Sequence, residues 1–162
     1  MSAQTTVADS APVPGVPLLD TRAARAAQGL VALLVLAAAA LGDWRLLAVP
    51  ALHLVLSGAL GRRGNLPVRA FDAYLRPLLP PGSVEDARPP RFASTIGAVF
   101  LGASLLAHAA GAHAVGWVLA LAVAALAGLA AATGLCVGCR MYWLVALLRR
   151  ARARARPGVR GA

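Results

Sequence analysis

The chain has 162 residues, of which 59% are hydrophobic, and a formal net charge of +10 at pH 7. A soluble domain of this size is nearer half apolar, so long and uniform Ala/Leu/Val runs argue against an ordinary soluble protein. All sixteen basic residues are arginine, and in so apolar a chain they indicate the cytoplasmic flanks of membrane spans rather than a nucleic-acid-binding surface.

The chain divides into a tail, a membrane domain and a second tail. Residues 1–19 carry three prolines and no hydrophobic period, which predicts a disordered N-terminal tail. Residues 20–148 are predicted to form a four-helix transmembrane domain, and residues 149–162 a basic C-terminal tail. The predicted spans lie at about 26–41, 46–60, 92–110 and 115–135, with a proline-rich loop over residues 61–91 between the second and third.

The short connections on either side of this loop predict the topology. Residues 42–45 and 110–114 are long enough only for tight turns, so we predict an all-α, polytopic membrane protein built as two helical hairpins. Fifteen arginines flank the hairpins or lie in the central loop, whereas Arg45 alone lies in a short turn. The positive-inside rule therefore places both termini and the central loop in the cytoplasm.

A short pattern occurs twice. A DxRxxR run over residues 20–25 precedes the first span, and another over residues 86–91 precedes the third. Each run opens a hairpin that has a tryptophan, Trp44 or Trp117, after its outer turn. The pattern suggests two parallel copies of one hairpin, the alternative being chance similarity in a low-complexity chain.

Cys136 and Cys139 are the two cysteines of the chain, and they follow the fourth span. On a continuous helix they would share one face about 5–6 Å apart, which is within reach of a disulfide. If a new helix begins near Arg140, its dipole and the arginine stabilise a thiolate. The position of Arg140 favours Cys139 as the more acidic thiol, although the first cysteine of such a pair is usually the nucleophile.

Three roles stay open for this pair. Reversible redox or sulfur-transfer chemistry fits two adjacent thiols on a reducing side of the membrane, where a static disulfide is not expected. A metal site needs four ligands, so Cys136 and Cys139 would hold a metal only in a homodimer, and a single chain is expected to bind no metal or other cofactor. The third role is structural, with two small buried residues at a helix end.

We expect the three histidines to have structural roles. His53 falls in the middle of the second span, and we expect a neutral imidazole bonded to the carbonyl freed by Pro50 or to Ser57. His108 and His113 lie near the outer end of the third span and in the outer turn, where an interfacial position is expected.

Residues 141–148 are apolar but too short to span, so they are predicted to lie along the cytoplasmic interface or to extend the fourth helix. The tail beyond them is expected to bind membrane lipids, because each arginine near an anionic headgroup contributes about 1 kcal/mol. The residues expected to do so are Arg149, Arg150, Arg152, Arg154 and Arg156. No aromatic pattern supports nucleic acid as the partner.

Several segments together resemble a known family. They are residues 74–78 (YLRPL) and 89–93 (PPRFA), with Gly97 and Phe100, and residues 134–142 (GLCVGCRMY). On these motifs the chain is similar, over roughly residues 19–148, to the bacterial integral membrane family known as domain of unknown function 4395.

The chain departs from the pattern of that family at two points. Leu135 stands where phenylalanine is usual, and alanines over residues 130–132 stand where an asparagine often precedes the glycine. Members look like companions of thioredoxin-like and sulfurtransferase proteins. The resemblance therefore implies a bacterial inner-membrane protein with a thiol role.

The leading hypothesis is an inner-membrane protein whose cytoplasm-facing pair exchanges electrons or sulfur with a soluble thioredoxin-like or sulfurtransferase protein. The alternatives are a non-catalytic scaffold or small transporter subunit with structural cysteines, and a metal-bridged homodimer. Quinone-linked four-helix enzymes that form disulfides are a looser comparison. They usually need a second cysteine pair and face the redox pair outwards, which counts against the analogy.

Overall fold

A computed structural model describes residues 18–78 and 83–154 of the chain. Helices account for 87% of these residues, which confirms the predicted all-α class. The α-helices of the described part are α1 (Thr21–Leu41), α2 (Ala48–Leu60), α3 (Leu66–Ala70), α4 (Arg88–Ala109), α5 (His113–Thr133) and α6 (Val137–Arg154). Residues 1–17 of the predicted N-terminal tail and residues 155–162 of the basic tail lie outside the described residues.

Within the described part, four helical segments are long and apolar enough to cross a membrane, as predicted. They are Thr21–Leu41, Trp44–Arg63, Arg88–Ala109 and His113–Thr133. The second comprises α2 and the 3-10 turns that flank it, Trp44–Leu47 and Gly61–Arg63. The first and third begin several residues before their apolar runs, because polar caps start these helices ahead of the hydrophobic segment. The orientation of the spans stays a prediction.

The first and third spans begin in the same way. The Asp20 carboxylate accepts a hydrogen bond from the N–H of Arg22 at 2.9 Å, and Asp86 accepts one from the N–H of Arg88 at 2.8 Å. Both aspartates end short strands, β1 (Leu18–Asp20) and β2 (Val84–Asp86), which pair antiparallel with Asp20 opposite Val84. The two helix starts, which are far apart in the chain, are therefore tied together at one end of the bundle.

The last arginine of each DxRxxR run caps the end of another helix. Arg25 on α1 donates from Nε to the Ala131 carbonyl at 2.9 Å and from Nη2 to the Ala132 carbonyl at 2.7 Å, at the end of α5. Arg91 on α4 does the same at the end of α2. Since the final carbonyls of a helix have no partner within it, each arginine satisfies two of them. The two arginines therefore play equivalent roles, in agreement with the DxRxxR pattern, and a repeat of the whole hairpin stays a prediction.

The helices pack in a pattern that follows from these caps. Helix α1 packs mainly on α5, α2 on α4, and α4 on α5. Of the two predicted hairpins, α4 and α5 pack on each other, whereas α1 and α2 contact each other little although only a short turn joins them. Small residues allow the close approach, and Val35, Leu101 and Ala120 between the helices have no exposed surface.

The outer surface of the spans carries large apolar side chains. Leu106 on α4 is 73% exposed and Val118 on α5 is 67% exposed. Contiguous apolar surface of this kind is unfavourable in water and suits contact with lipid chains, so the surface agrees with a multi-pass membrane protein.

The central segment is more ordered than a plain loop. Helix α3 packs on α1, where Val68 and Phe71 join Ala23 and Ala27 in a second buried cluster. A π-helical turn (Phe71–Leu75) and a 3-10 turn (Arg76–Leu78) follow α3. This packing holds the central segment against the same end of the bundle as the strands.

His108 is not interfacial as the sequence suggested. It is 2% exposed, its Nδ1 donates to the Ser104 carbonyl at 2.9 Å, and the Trp44 ring stacks on it at 5.5 Å between ring centroids. The neighbouring helix makes room because Gly116 of α5 has no side chain, and a Cβ atom there would overlap the imidazole. The expectation of an interfacial position for His108 is therefore wrong, while His113 is exposed.

We predict that Gly116→Ala destabilises the fold by about 1–3 kcal/mol, because the new methyl group forces the His108 ring to move in a packed helix contact. Gly102→Ala is the matched control, since a Cβ atom at Gly102 meets nothing within 4 Å and alanine favours a helix. Thermal unfolding in detergent measures both. Equal melting temperatures for the two variants would contradict this account of the contact.

Candidate functional site

Helix α5 ends before the cysteine pair. Gly134 takes a left-handed conformation with φ of 75°, and its N–H donates to the Ala130 carbonyl at 2.9 Å. The Thr133 hydroxyl donates to the Leu129 carbonyl at 2.7 Å and accepts from the N–H of Leu135 at 3.1 Å. These bonds satisfy backbone groups that would otherwise be exposed at the break. The fourth span is therefore not continuous through the CxxC.

Cys136 directly precedes the new helix, α6, and acts as its cap. Its Sγ accepts a hydrogen bond from the N–H of Cys139 at 3.2 Å, and its carbonyl accepts from the N–H of Arg140 at 3.1 Å. Both cysteines are free thiols and half-buried. The pair thus lies at a helix N-terminus, where backbone amides point at the first sulfur, rather than on the last turn of α5.

The pKa values of the two thiols are shifted in opposite directions. The hydrogen bond from the Cys139 thiol lowers the pKa of Cys136 to about 6, helped by the backbone N–H groups of Cys139 and Gly138 and by the Gln28 side chain, against the effect of burial. The same hydrogen bond raises the pKa of Cys139, and burial together with the charges of Cys136 and Glu85 raises it further. Cys136 is therefore the thiolate of the pair.

The choice of Cys139 as the more acidic thiol is wrong, because the break at Gly134 gives the helix N-terminus to Cys136 instead. Arg140 has an exposed side chain, and its N–H forms the first hydrogen bond of α6. Thiolate stabilisation by its guanidinium stays a prediction.

A pocket of about 230 Å³ lies beside the thiols, which we call the polar pocket. Polar groups from α1 and the β2 region line it together with Cys136 and Cys139. The polar lining residues other than the cysteines are Thr21, Arg25, Gln28, Ser83 and Glu85. The Thr21 and Ser83 hydroxyls lie 2.8 Å apart, so the start of α1 and the segment before β2 form one rim.

A second space, which we call the apolar cavity, has a volume of about 260 Å³ and lies between the spans. Cys136 and Gln28 line both the polar pocket and the apolar cavity. His53 also lines this cavity. The bond expected between His53 and Ser57 is not formed, since the Ser57 hydroxyl is buried without a hydrogen-bond partner.

Helix α6 is held against α4. A Cβ atom at Gly138 would lie 2.7 Å from the Ala93 Cβ, so glycine permits this close approach. The rings of Phe92 and Tyr142 lie 5.8 Å apart further along the same contact. The N-terminus of α6, and with it Cys136, is thus positioned by packing on the third span.

Helix α6 continues through the apolar segment 141–148 into the arginine-rich tail as far as Arg154. Arg149 is exposed, and Arg150, Arg152 and Arg154 are residues of this helix. Arg156 lies outside the described residues. Lipid binding by these arginines stays a prediction.

Residues from distant parts of the chain complete the site, and sequence reasoning missed them. Gln28 and Glu85 carry no local signal, because their relation to Cys136 exists only once α1, β2 and α6 meet. Arg25 could have been found, since the DxRxxR repeat marks it. Within residues 18–78 and 83–154, no group of three or more His, Cys, Asp or Glu residues is placed to hold a metal ion.

Comparison with known proteins identifies a family. The family model described as Domain of unknown function (DUF4395) matches residues 19–146, which include every span and both cysteines. No curated protein and no solved structure matches the chain.

We predict that alkylation of Cys136 by iodoacetamide rises with a midpoint near pH 6. Only the thiolate reacts, and a pKa of about 6 leaves roughly 90% of this thiol ionised at pH 7. Cys139→Ala should move the midpoint upward, because the largest cause of the lowered pKa is lost, whereas Cys139→Ser keeps a hydroxyl donor and should move it less. Mass spectrometry of the labelled protein measures the rate. A wild-type midpoint near 8.5 would contradict this assignment.

Proposed function

The chain belongs to the family described as Domain of unknown function (DUF4395), and we propose that it exchanges electrons with a soluble dithiol protein through Cys136 and Cys139. We place this exchange at the cytoplasmic face of a bacterial inner membrane, on the basis of the arginine distribution. The observation that carries the proposal is the Cys136 sulfur, which accepts hydrogen bonds at the N-terminus of α6 beside the polar pocket.

The difference between the two thiols supports a redox pair with divided roles. A sulfur that is stabilised as a thiolate is a nucleophile at neutral pH and also a good leaving group. Cys139, whose pKa is raised, keeps its proton and stays in place to attack the Cys136 sulfur of a mixed disulfide after deprotonation. Two structural cysteines would need no such asymmetry.

Stabilisation of the Cys136 thiolate also sets the direction of exchange. It favours the reduced dithiol form over the disulfide, so the oxidised pair accepts electrons readily. We therefore propose that the pair is an electron acceptor for a thioredoxin-like protein. The cytoplasm, where we place the pair, supplies reduced dithiol proteins, which act as the electron donors.

The exchange balances as two substitutions at sulfur. A thiolate of the soluble protein attacks Cys136 Sγ, the Cys136–Cys139 bond breaks, and Cys139 leaves with the electron pair and takes up a proton. The mixed disulfide joins the first sulfur of the soluble protein to Cys136 Sγ. The second thiolate of the soluble protein then attacks that first sulfur and releases Cys136 as a thiolate. The soluble protein ends as a disulfide, and two electrons have moved to the pair.

The polar pocket is the proposed docking site for the soluble protein. Glu85 and Ser83 are exposed at its rim, as is Arg25, whose guanidinium donates to the end of α5. Groups of both charges beside the thiols suit a polar protein surface better than a lipid chain.

We predict that Cys136 alone captures a soluble partner. The probe is thioredoxin whose second active-site cysteine is replaced by alanine and whose first is activated with thionitrobenzoate. At pH 7 the Cys139→Ser protein, which keeps a hydroxyl donor beside Cys136, should form the mixed disulfide at least about tenfold faster than the Cys136→Ser protein, because the N-terminus of α6 stabilises the Cys136 thiolate. Release of thionitrobenzoate gives the rate, and non-reducing gels show the adduct.

The wild-type protein is the control for resolution. Its Cys139 should break the mixed disulfide, release thioredoxin and leave a Cys136–Cys139 disulfide. A persulfide on Cys136 after incubation with a sulfurtransferase, without disulfide exchange, would replace the redox role by sulfur transfer. Thiols that react with neither probe would show that the cysteines are structural.

A further inference from the structure

Thiol exchange with a soluble protein leaves the apolar cavity unused. It is lined by residues of α1, α2, α4, α5 and α6, nearly all of them apolar. Its polar lining residues are Gln28, His53, Asn65, Ser94 and Cys136. Cys136 thus lies between a polar pocket on one side and an apolar cavity among the spans on the other.

The cavity suits a ring-bearing molecule in size. An apolar cavity of about 150 Å³ is known to stay dry and to hold a benzene ring. The volume of about 260 Å³ here admits a larger ring or a ring with part of a tail. Apolar walls offer water no hydrogen bonds. Binding of an apolar ligand in such a cavity is therefore favourable.

Part of the cavity lining is exposed on the spans. Phe100 on α4 and Leu126 on α5 line the cavity, and these side chains are 42% and 50% exposed. Because both residues lie within spans, entry beside them would bring a membrane-dissolved molecule into the cavity without crossing the aqueous phase.

We propose that the apolar cavity binds a lipid-soluble quinone, which reoxidises the Cys136–Cys139 dithiol. This inference rests on the proposed function, because a pair that accepts electrons from a soluble protein must pass them on. A lipid acyl chain would contact the apolar lining but would use neither the Cys136 thiol nor the Gln28 amide, which also line the cavity. A quinone carbonyl can accept a hydrogen bond from that amide.

The reaction balances without another reactant. The two thiols lose two electrons and two protons, and a bond forms between the two sulfurs. The quinone takes up both electrons and both protons and becomes the hydroquinone. A second cysteine pair is not required, because Cys136 lines both the polar pocket and the apolar cavity.

The test uses the reduced full-length protein in nanodiscs under anaerobic conditions. The probe is a fully substituted benzoquinone with a short alkyl tail, so that thiols cannot add to its ring. We expect one hydroquinone and one disulfide per protein, followed by the quinone absorbance and by thiol titration. Cys139→Ala should abolish the reaction, since no second thiol can complete the disulfide.

Two alanines of α5 provide a matched pair for the cavity. Ala122 and Ala125 are both exposed, but Ala122 lines the cavity and Ala125 does not. Ala122→Phe should slow quinone reduction at least about tenfold, whereas Ala125→Phe should leave the rate within about twofold. Because both positions are exposed, the melting temperatures of the variants should stay close to that of the wild type.

The outcomes separate this inference from the proposed function. Absence of quinone reduction, together with intact exchange with thioredoxin, would overturn the quinone site and leave the soluble exchange standing. Equal slowing by both phenylalanine variants would also overturn it, because reduction would then not occur in the cavity. Loss of thioredoxin exchange in the wild type would remove the proposed function and the quinone site together.

Discussion

The arrangement of the spans depends on two arginines that hold the carbonyl ends of helices to which they do not belong. The last carbonyls of a helix have no partner within it, and a side chain that donates to them also fixes its own helix beside that end. Arg25 satisfies the end of α5 and Arg91 the end of α2. Each cap fixes a helix of the first hairpin beside a helix of the second. As a result α1 packs on α5, and α2 packs on α4.

The cap on α5 also positions the chemistry. Arg25 holds the carbonyls of Ala131 and Ala132, and the chain turns immediately afterwards at Gly134. Had α5 continued, the amides around the thiols would be bonded within the helix and could not face a sulfur. The break frees them, and α6 begins with its N–H groups directed at Cys136. The acidity of this thiol is thus a consequence of how the fourth span ends.

Cys136 is placed between two different surroundings. On one side, polar groups of α1 and the β2 region form a pocket, and on the other side an apolar cavity extends among the spans. A soluble dithiol protein and a membrane-dissolved quinone cannot meet in one solvent. Cys136 borders both spaces and Cys139 borders the polar pocket, and this placement joins the two proposals in one cycle.

The number of spans, the DxRxxR pattern and the thiol pair could be predicted from the amino-acid sequence alone. Lipid-facing positions must be apolar, so the spans are read as apolar runs, and the short DxRxxR and CxxC patterns are local. The burial of His108, the packing of α1 on α5 and the acidity of Cys136 could not be predicted and became visible in the folded protein. The physical reason is that each depends on groups brought together from distant positions, as when Arg25 reaches carbonyls 106 and 107 residues further along the chain.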